Sequence, residues 1–232
     1  MKPELTILYE DNHLLVVDKP AGLATVGVSP MENSLAKVAK EYIKQKYRKP
    51  GNAFVGVVSR LDSMVSGVIV LARTSKAAAR LSEQFRTGEV AKRYWAIVEG
   101  RVEPHESTLI DHLIKDDAAR RMRVTTSGGQ RAELRYRELS RFQNQTLLEV
   151  ELKTGRKHQI RTQLSSRGWS IVGDRKYGSR QPFATGIGLH CVALKFTHPT
   201  RKTAMAFRCC PPAYWKLAQF KVDFGSCTLE LA

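Results

Sequence analysis

An α+β fold is what this sequence predicts, on three observations. Short runs rich in valine and isoleucine, of strand length, recur along the chain. Several come in pairs separated by a few turn-forming residues, as antiparallel hairpins do. Between them lie a few segments whose apolar residues fall at helical spacing. A chain of 232 residues can bury a substantial core. One domain over 1–232 is expected, with two closely joined lobes as its internal alternative.

Leu5–Tyr9 and His13–Val17, joined by Glu10-Asp11-Asn12, read as a hairpin. Pro20 and Gly22 end its second strand. Leu35, Val38, Ala39, Tyr42 and Ile43 share one helical face, with Asn33 or Ser34 as N-cap and Pro50-Gly51 as the stop. The lysines of that segment suit a patch facing a polyanion and a solvated helix face equally well. Phe54–Val58 and Val68–Ala72 read as buried strands around a polar segment holding Arg60, Asp62, Ser63 and Ser66. Taken alone, Asp62 is a turn aspartate with Arg60 as a local partner, or a reactive carboxylate on a rigid base. Ser75 caps a second helix with Ala78, Leu81 and Phe85 on one face and Gly88 at its end. Val90–Val98 returns as a strand.

From Glu103 to Gly129 the periodicity weakens, and a basic surface loop or short strands are expected. Ala132, Leu134 and Tyr136, then Thr146, Leu148, Val150 and Leu152, alternate as two strands joined through Arg141–Gln145. A helix follows Thr154-Gly155, with Ile160 and Leu164 inward and Gly168 at its end. Leu189–Phe196 and Thr203–Phe207 complete the strands, and a last helix is expected from Pro211 through Leu217 to Gly225.

Charge narrows the partner. Lys and Arg number 38 against 22 Asp and Glu, a formal net charge of +16. Such an excess seeks a polyanion. With no long basic amphipathic helix to lie on a membrane, nucleic acid is the expectation. No apolar run approaches bilayer-spanning length and no secretory leader is seen, so a cytoplasmic location is expected. Cys191, Cys209, Cys210 and Cys227 lack Cys-x-x-Cys spacing and the histidines are scattered, so no metal is expected.

Four stretches carry a resemblance. Arg60-Leu61-Asp62 with Ser66-Gly67, Tyr9–Leu23 with its Lys-Pro-x-Gly, Lys92–Ala96, and Thr154–Arg161 occur in an order similar to the RluA family of RNA pseudouridine synthases, in its short form without an N-terminal S4-like domain. Leu189–Pro199 also fits. The resemblance implies a mixed, mostly antiparallel sheet flanked by helices, with a central cleft. It implies Asp62 as the catalytic carboxylate, base or nucleophile, with Arg161 against it and Tyr94 lining the site. A cation within ~4–6 Å lowers a carboxyl pKa by about 1–3 units, which would keep Asp62 ionised in a dry cleft. Tyr94 is then suited to stack on an extruded uracil, and Arg60 to fill the space it leaves. Lys19, Arg156, His158 and Gln159 are candidate RNA contacts, and Ile160 and Leu164 the apolar pocket wall. The reaction needs no cofactor. The RNA is transfer or ribosomal, and a monomer is the default.

Two departures from the family pattern bear on activity: Ser59 stands where the family usually has histidine, and Val65 where it has threonine. They motivate an alternative, a catalytically inactive RNA-binding or RNA-folding factor. A metal-dependent hydrolase or nuclease built on Asp62 is the third reading, weakened by the lack of a second carboxylate in these motifs.

Overall fold

The structure is a computed structural model that describes residues 5–27, 33–48 and 50–222. The chain is α+β with mostly antiparallel strand pairing, and it divides into two compact units. One comprises residues up to Val90 together with Ala193–Cys209; the other comprises Ala91–Val192 and the chain from Cys210. Among the described residues no helix is long and apolar enough to cross a membrane.

In the first unit, β1 (Thr6–Glu10) and β2 (Leu14–Lys19) form the expected hairpin. β4 (Ser66–Ala72) pairs β2 from Leu14↔Ala72 to Lys19↔Gly67. Every residue of β4 is buried, as its unbroken aliphatic run requires. This register brings the end of β2 beside the residues that lead into β4.

β3 is shorter than expected. Only Gly56 and Val57 pair, against Ala72 and Leu71, and Phe54 is 46% exposed. Ala72 is the last residue of β4, and the next amide, Arg73 N–H, turns to His13 O at 2.8 Å, so Phe54 finds no ladder to join.

α1 (Leu35–Lys46) starts at Ser34, whose hydroxyl accepts from Lys37 N–H, and buries Leu35, Ala39 and Ile43. α2 (Ser75–Thr87) is capped by Thr74 where Ser75 was expected; Thr74 Oγ1 takes the Ala77 amide at 3.2 Å. The two hydroxyls are adjacent in sequence, and only Thr74 has the extended backbone a cap needs. β10 (Leu189–Thr197) and β11 (Ala204–Arg208) pair over Ala193–Thr197. Leu14, Val16, Val68, Val70, Leu81, Leu194 and Phe196 pack as one core.

The β1–β2 and β10–β11 turns are tied by Asp11. Its Oδ1 accepts the His13 and Leu14 amides at 2.8 Å each, and its Oδ2 accepts from Tyr9 at 3.0 Å and His198 Nε2 at 2.8 Å. His198 is fully buried, and its Nδ1 accepts the Thr200 and Arg201 amides, which places the ring hydrogen on Nε2. Burial alone would raise the Asp11 pKa, but these donors outweigh it and lower it to about 2. A depressed carboxyl stabilises the fold above its unfolded pKa, and the gain is lost as pH falls through the folded value. Between pH 5 and pH 2 the native chain is therefore expected to lose about 2 kcal/mol more stability than Asp11→Asn. Denaturant unfolding at stepped pH reads this directly; parallel curves would refute the assignment.

The second unit is an antiparallel sheet in the order β5 (Ala91–Glu99), β9 (Gln145–Leu152), β8 (Gln130–Phe142), β6 (Glu106–Asp116), β7 (Arg121–Thr125). β6 is a correction. Eleven residues of regular strand occupy the region read as loop or short strands. Its outward positions carry Glu106, Thr108, Ile110 and His112, paired with arginines and Glu133 of β8, so the usual apolar–polar alternation is blurred.

α3 (Gln159–Ser165) is short and, from Gln159 to Leu164, wholly buried. The last helix is also corrected. Two 3-10 turns, Ala213–Trp215 and Leu217–Phe220, are separated by Lys216 at a left-handed φ of 51°, which no α-helix admits. Gly225, its expected end, lies outside the described residues.

Candidate active site

In the first unit, Asp62 sits on the loop between β3 and β4. Leu61 and Val65 are buried on either side, while Ser63 and Met64 face solvent. Two apolar anchors thus hold a short arc whose carboxylate stays half-buried. Val65 N–H closes the turn on Asp62 O at 3.0 Å. Arg60 is exposed and makes no ion pair among the described residues, so the local Arg60–Asp62 turn is not formed.

The end of β2 clamps this arc. Gly22 N–H reaches Ser63 O at 2.8 Å, with φ of 88° at Gly22 that a residue with a side chain rarely adopts. Thr25 Oγ1 donates to Leu61 O at 2.7 Å and accepts from Leu61 N–H at 3.1 Å. Lys19 is fully buried. Its ammonium donates to Pro20 O at 2.9 Å, Leu23 O at 2.7 Å and Ser63 O at 3.4 Å.

Lys19 therefore corrects the sequence reading: the cation expected at an RNA phosphate is enclosed by carbonyls of its own segment, Pro20 and Leu23, with a longer reach to Ser63 beside Asp62. Burial lowers its pKa to about 8, against the opposing pull of the Asp62 and Asp18 carboxylates. Thr25→Val keeps the shape but strands both Leu61 groups, at about 1–3 kcal/mol. That variant is expected to melt earlier and to lose turnover more than RNA affinity; unchanged melting and turnover would remove Thr25 from the clamp.

In the second unit, Tyr94 lies on β5 opposite Val150 and is 7% exposed. Arg161 lies on α3, with Ile160 and Leu164 buried beside it. Its Nε and Nη2 grip Asp174 at 2.7 and 2.9 Å, and its guanidinium carbon stands 4.8 Å from the Tyr177 ring centroid. A five-donor guanidinium is not exhausted by one carboxylate. Asp174 and Tyr177 were missed as partners. The only signal was the Gly-Asp-x-x-Tyr-Gly run itself, which the sequence displays as a turn.

Gln159 is a second correction. It is buried, its side-chain oxygen accepts from Thr154 Oγ1 and the Arg156 amide, and its nitrogen donates to Glu133 O at 3.0 Å. It frames the turn before α3 and has no donor to offer RNA. Arg156 is exposed, with Nε on Arg131 O at 3.0 Å. His158 starts α3 in a left-handed conformation, its Nδ1 2.8 Å from the Tyr177 hydroxyl.

The first unit presents Asp62 on a clamped loop; the second presents a buried arginine, held by Asp174, and a strand tyrosine.

Comparison with known proteins agrees with this chemistry. Residues 13–166 match the model of the RNA pseudouridylate synthase family. A Bacillus subtilis (strain 168) protein named as an uncharacterized RNA pseudouridine synthase is 34% identical over 199 residues, covering 84% of this chain and 65% of that one. Ribosomal large subunit pseudouridine synthase D of Zymomonas mobilis is 34% identical over 209 residues, with the same coverages. Ribosomal large subunit pseudouridine synthase C of Escherichia coli is 33% identical over 204 residues, covering 83% of this chain and 62% of that protein. The chain therefore spans slightly less than two thirds of these relatives. Among solved structures, human RNA pseudouridylate synthase domain containing 4 superposes with a TM-score of 0.78 at 25% identity, over 94% of each chain. With the family model matching residues 13–166, about two thirds of the chain, the protein belongs to the RNA pseudouridylate synthase family.

Proposed function

We propose that this chain, as one catalytic domain, isomerises uridine to pseudouridine at a site in structured RNA, ribosomal or transfer, with Asp62 as the catalytic carboxylate. The observation that carries the reading is the clamped loop. Gly22 and Thr25 direct their hydrogen bonds, and Lys19 the longest of its three, to Leu61 and Ser63, the two neighbours of Asp62, and leave its carboxylate half-buried. Such rigidity is wasted on a solvated turn and suits a group that must be aimed.

The isomerisation balances without any partner molecule. The bond from ribose C1′ to uracil N1 breaks, the base turns, and a bond from C1′ to C5 forms. The hydrogen on C5 leaves as a proton, and N1 takes one up. Asp62 would act at the ribose, as base or as nucleophile. Arg161, held by Asp174, would be the guanidinium that supports Asp62. Tyr94 would stack on the extruded uracil for about 1–3 kcal/mol, offsetting part of the unstacking cost. Ile160 and Leu164 would wall the pocket. Arg60 and Arg156, both exposed, would contact RNA, and His158, half-buried, would be a further contact.

The test is direct. The chain is incubated with uridine-containing ribosomal and transfer RNA in the presence of chelator, and the digested nucleosides are analysed by mass spectrometry. Pseudouridine in the digest supports the reading. Tight RNA binding with no product would favour the inactive binding factor, and strand breaks the nuclease.

A further inference from the structure

Arg161 sits on a helix of seven residues, entered through a left-handed histidine, with a side chain of high rotamer freedom. The helix alone does not aim it. The turn from Gly173 to Gly178 does.

Asp174 takes Nε and Nη2 side-on while the Tyr177 ring lies under the guanidinium. Both groups are buried, at 2% and 4% exposure. Asp174 is held by its own backbone: its amide donates to Ile171 O at 2.9 Å, and its carbonyl accepts from Tyr177 and Ser179. The residue before it must be glycine. Gly173 has φ of +85°, and a Cβ there would lie 2.5 Å from Phe183 Cβ. The Tyr177 oxygen accepts the Met122 amide of β7 at 2.9 Å and shares a hydrogen bond with His158 Nδ1 at 2.8 Å. Ring and carboxylate are thus both fixed from outside α3.

We propose that Asp174 and Tyr177 are positioning residues for the pseudouridine reaction, acting through Arg161; this rests on the function proposed above. Because Asp174 already balances the guanidinium charge, Arg161 supplies aimed donors more than a net positive field. Loss of aim, unlike loss of charge, lowers the chemical step without lowering RNA affinity.

The experiment compares Asp174→Asn, Tyr177→Leu and Tyr177→Phe with the native chain, in single-turnover pseudouridine formation at saturating RNA and in filter binding of the same RNA. Asp174→Asn and Tyr177→Leu are expected to slow the chemical step by about 10–100-fold with affinity within about threefold. Tyr177→Phe keeps the ring under Arg161 but gives up its hydroxyl bonds to Met122 and His158, and is expected to fall between the native and Leu rates. Thermal melting checks folding, and should Asp174→Asn not fold, the two Tyr177 variants carry the comparison. Native rates in Asp174→Asn and Tyr177→Leu, losses that merely follow affinity, or a Phe variant as slow as the Leu variant would each overturn the proposal. A native chain that forms no pseudouridine is a distinct result: it overturns the functional reading and this proposal with it.

Discussion

Asp62→Asn is expected to abolish pseudouridine formation, by at least ~10³-fold, in a protein that still folds and still binds RNA. The amide is nearly the same shape as the carboxylate but neither accepts a proton nor attacks a sugar carbon. Folding should survive because the bonds that hold the loop run through its neighbours. Leu61 N–H and O are taken by Thr25, and Ser63 O by Gly22 and Lys19. The lost charge does affect Lys19, since Asp62 is one of two carboxylates opposing its desolvation, so its pKa should fall further below about 8. RNA affinity rests on many phosphate contacts and should move little. Melting temperature, filter binding and nucleoside mass spectrometry on the one variant separate these effects. Product at the native rate would dismiss Asp62 as the reacting group.

The parts legible in the sequence were those set by local chemistry. Ser34, the Leu35–Ile43 stripe, Gly88 and the β1–β2 hairpin are each governed by neighbours within a turn or two. The same holds for the run from Thr154 to Arg161, whose motif is contiguous. What escaped was set across the fold. Lys19 reads as a cation for phosphate because nothing nearby reveals that three carbonyls, one of them on Ser63, will enclose its ammonium. Gln159 reads as a polar reach toward RNA, yet its amide is claimed by Glu133 on β8. β6 was blurred because its exposed face mixes Glu106, Thr108, Ile110 and His112, with Glu106 opposite Arg137 and Ile110 opposite Glu133. Asp174 lies thirteen positions from Arg161 with a turn between them, a separation at which no periodicity signals contact.

Arg161→Ala carries the second large expectation, and its two effects need separating. Removing the guanidinium strands the Asp174 carboxylate, 2% exposed, without its countercharge. Breaking a buried pair from one side costs about 3–5 kcal/mol. Turnover should also fall by about 10²–10³-fold, as for loss of a group that stabilises charge in the site. A drop in both would be ambiguous, since a destabilised protein also turns over poorly. The double variant Arg161→Ala, Asp174→Ala resolves it. With neither charge buried, unfolding free energy should recover by at least ~1 kcal/mol relative to Arg161→Ala, because the uncompensated carboxylate is gone. Turnover should not recover at all, because the donors aimed by the turn are still missing. Stability would then track the pair, and activity the arginine alone. If turnover returned with stability, the guanidinium would be only the internal counterion of Asp174, and Asp62 would need another source of support.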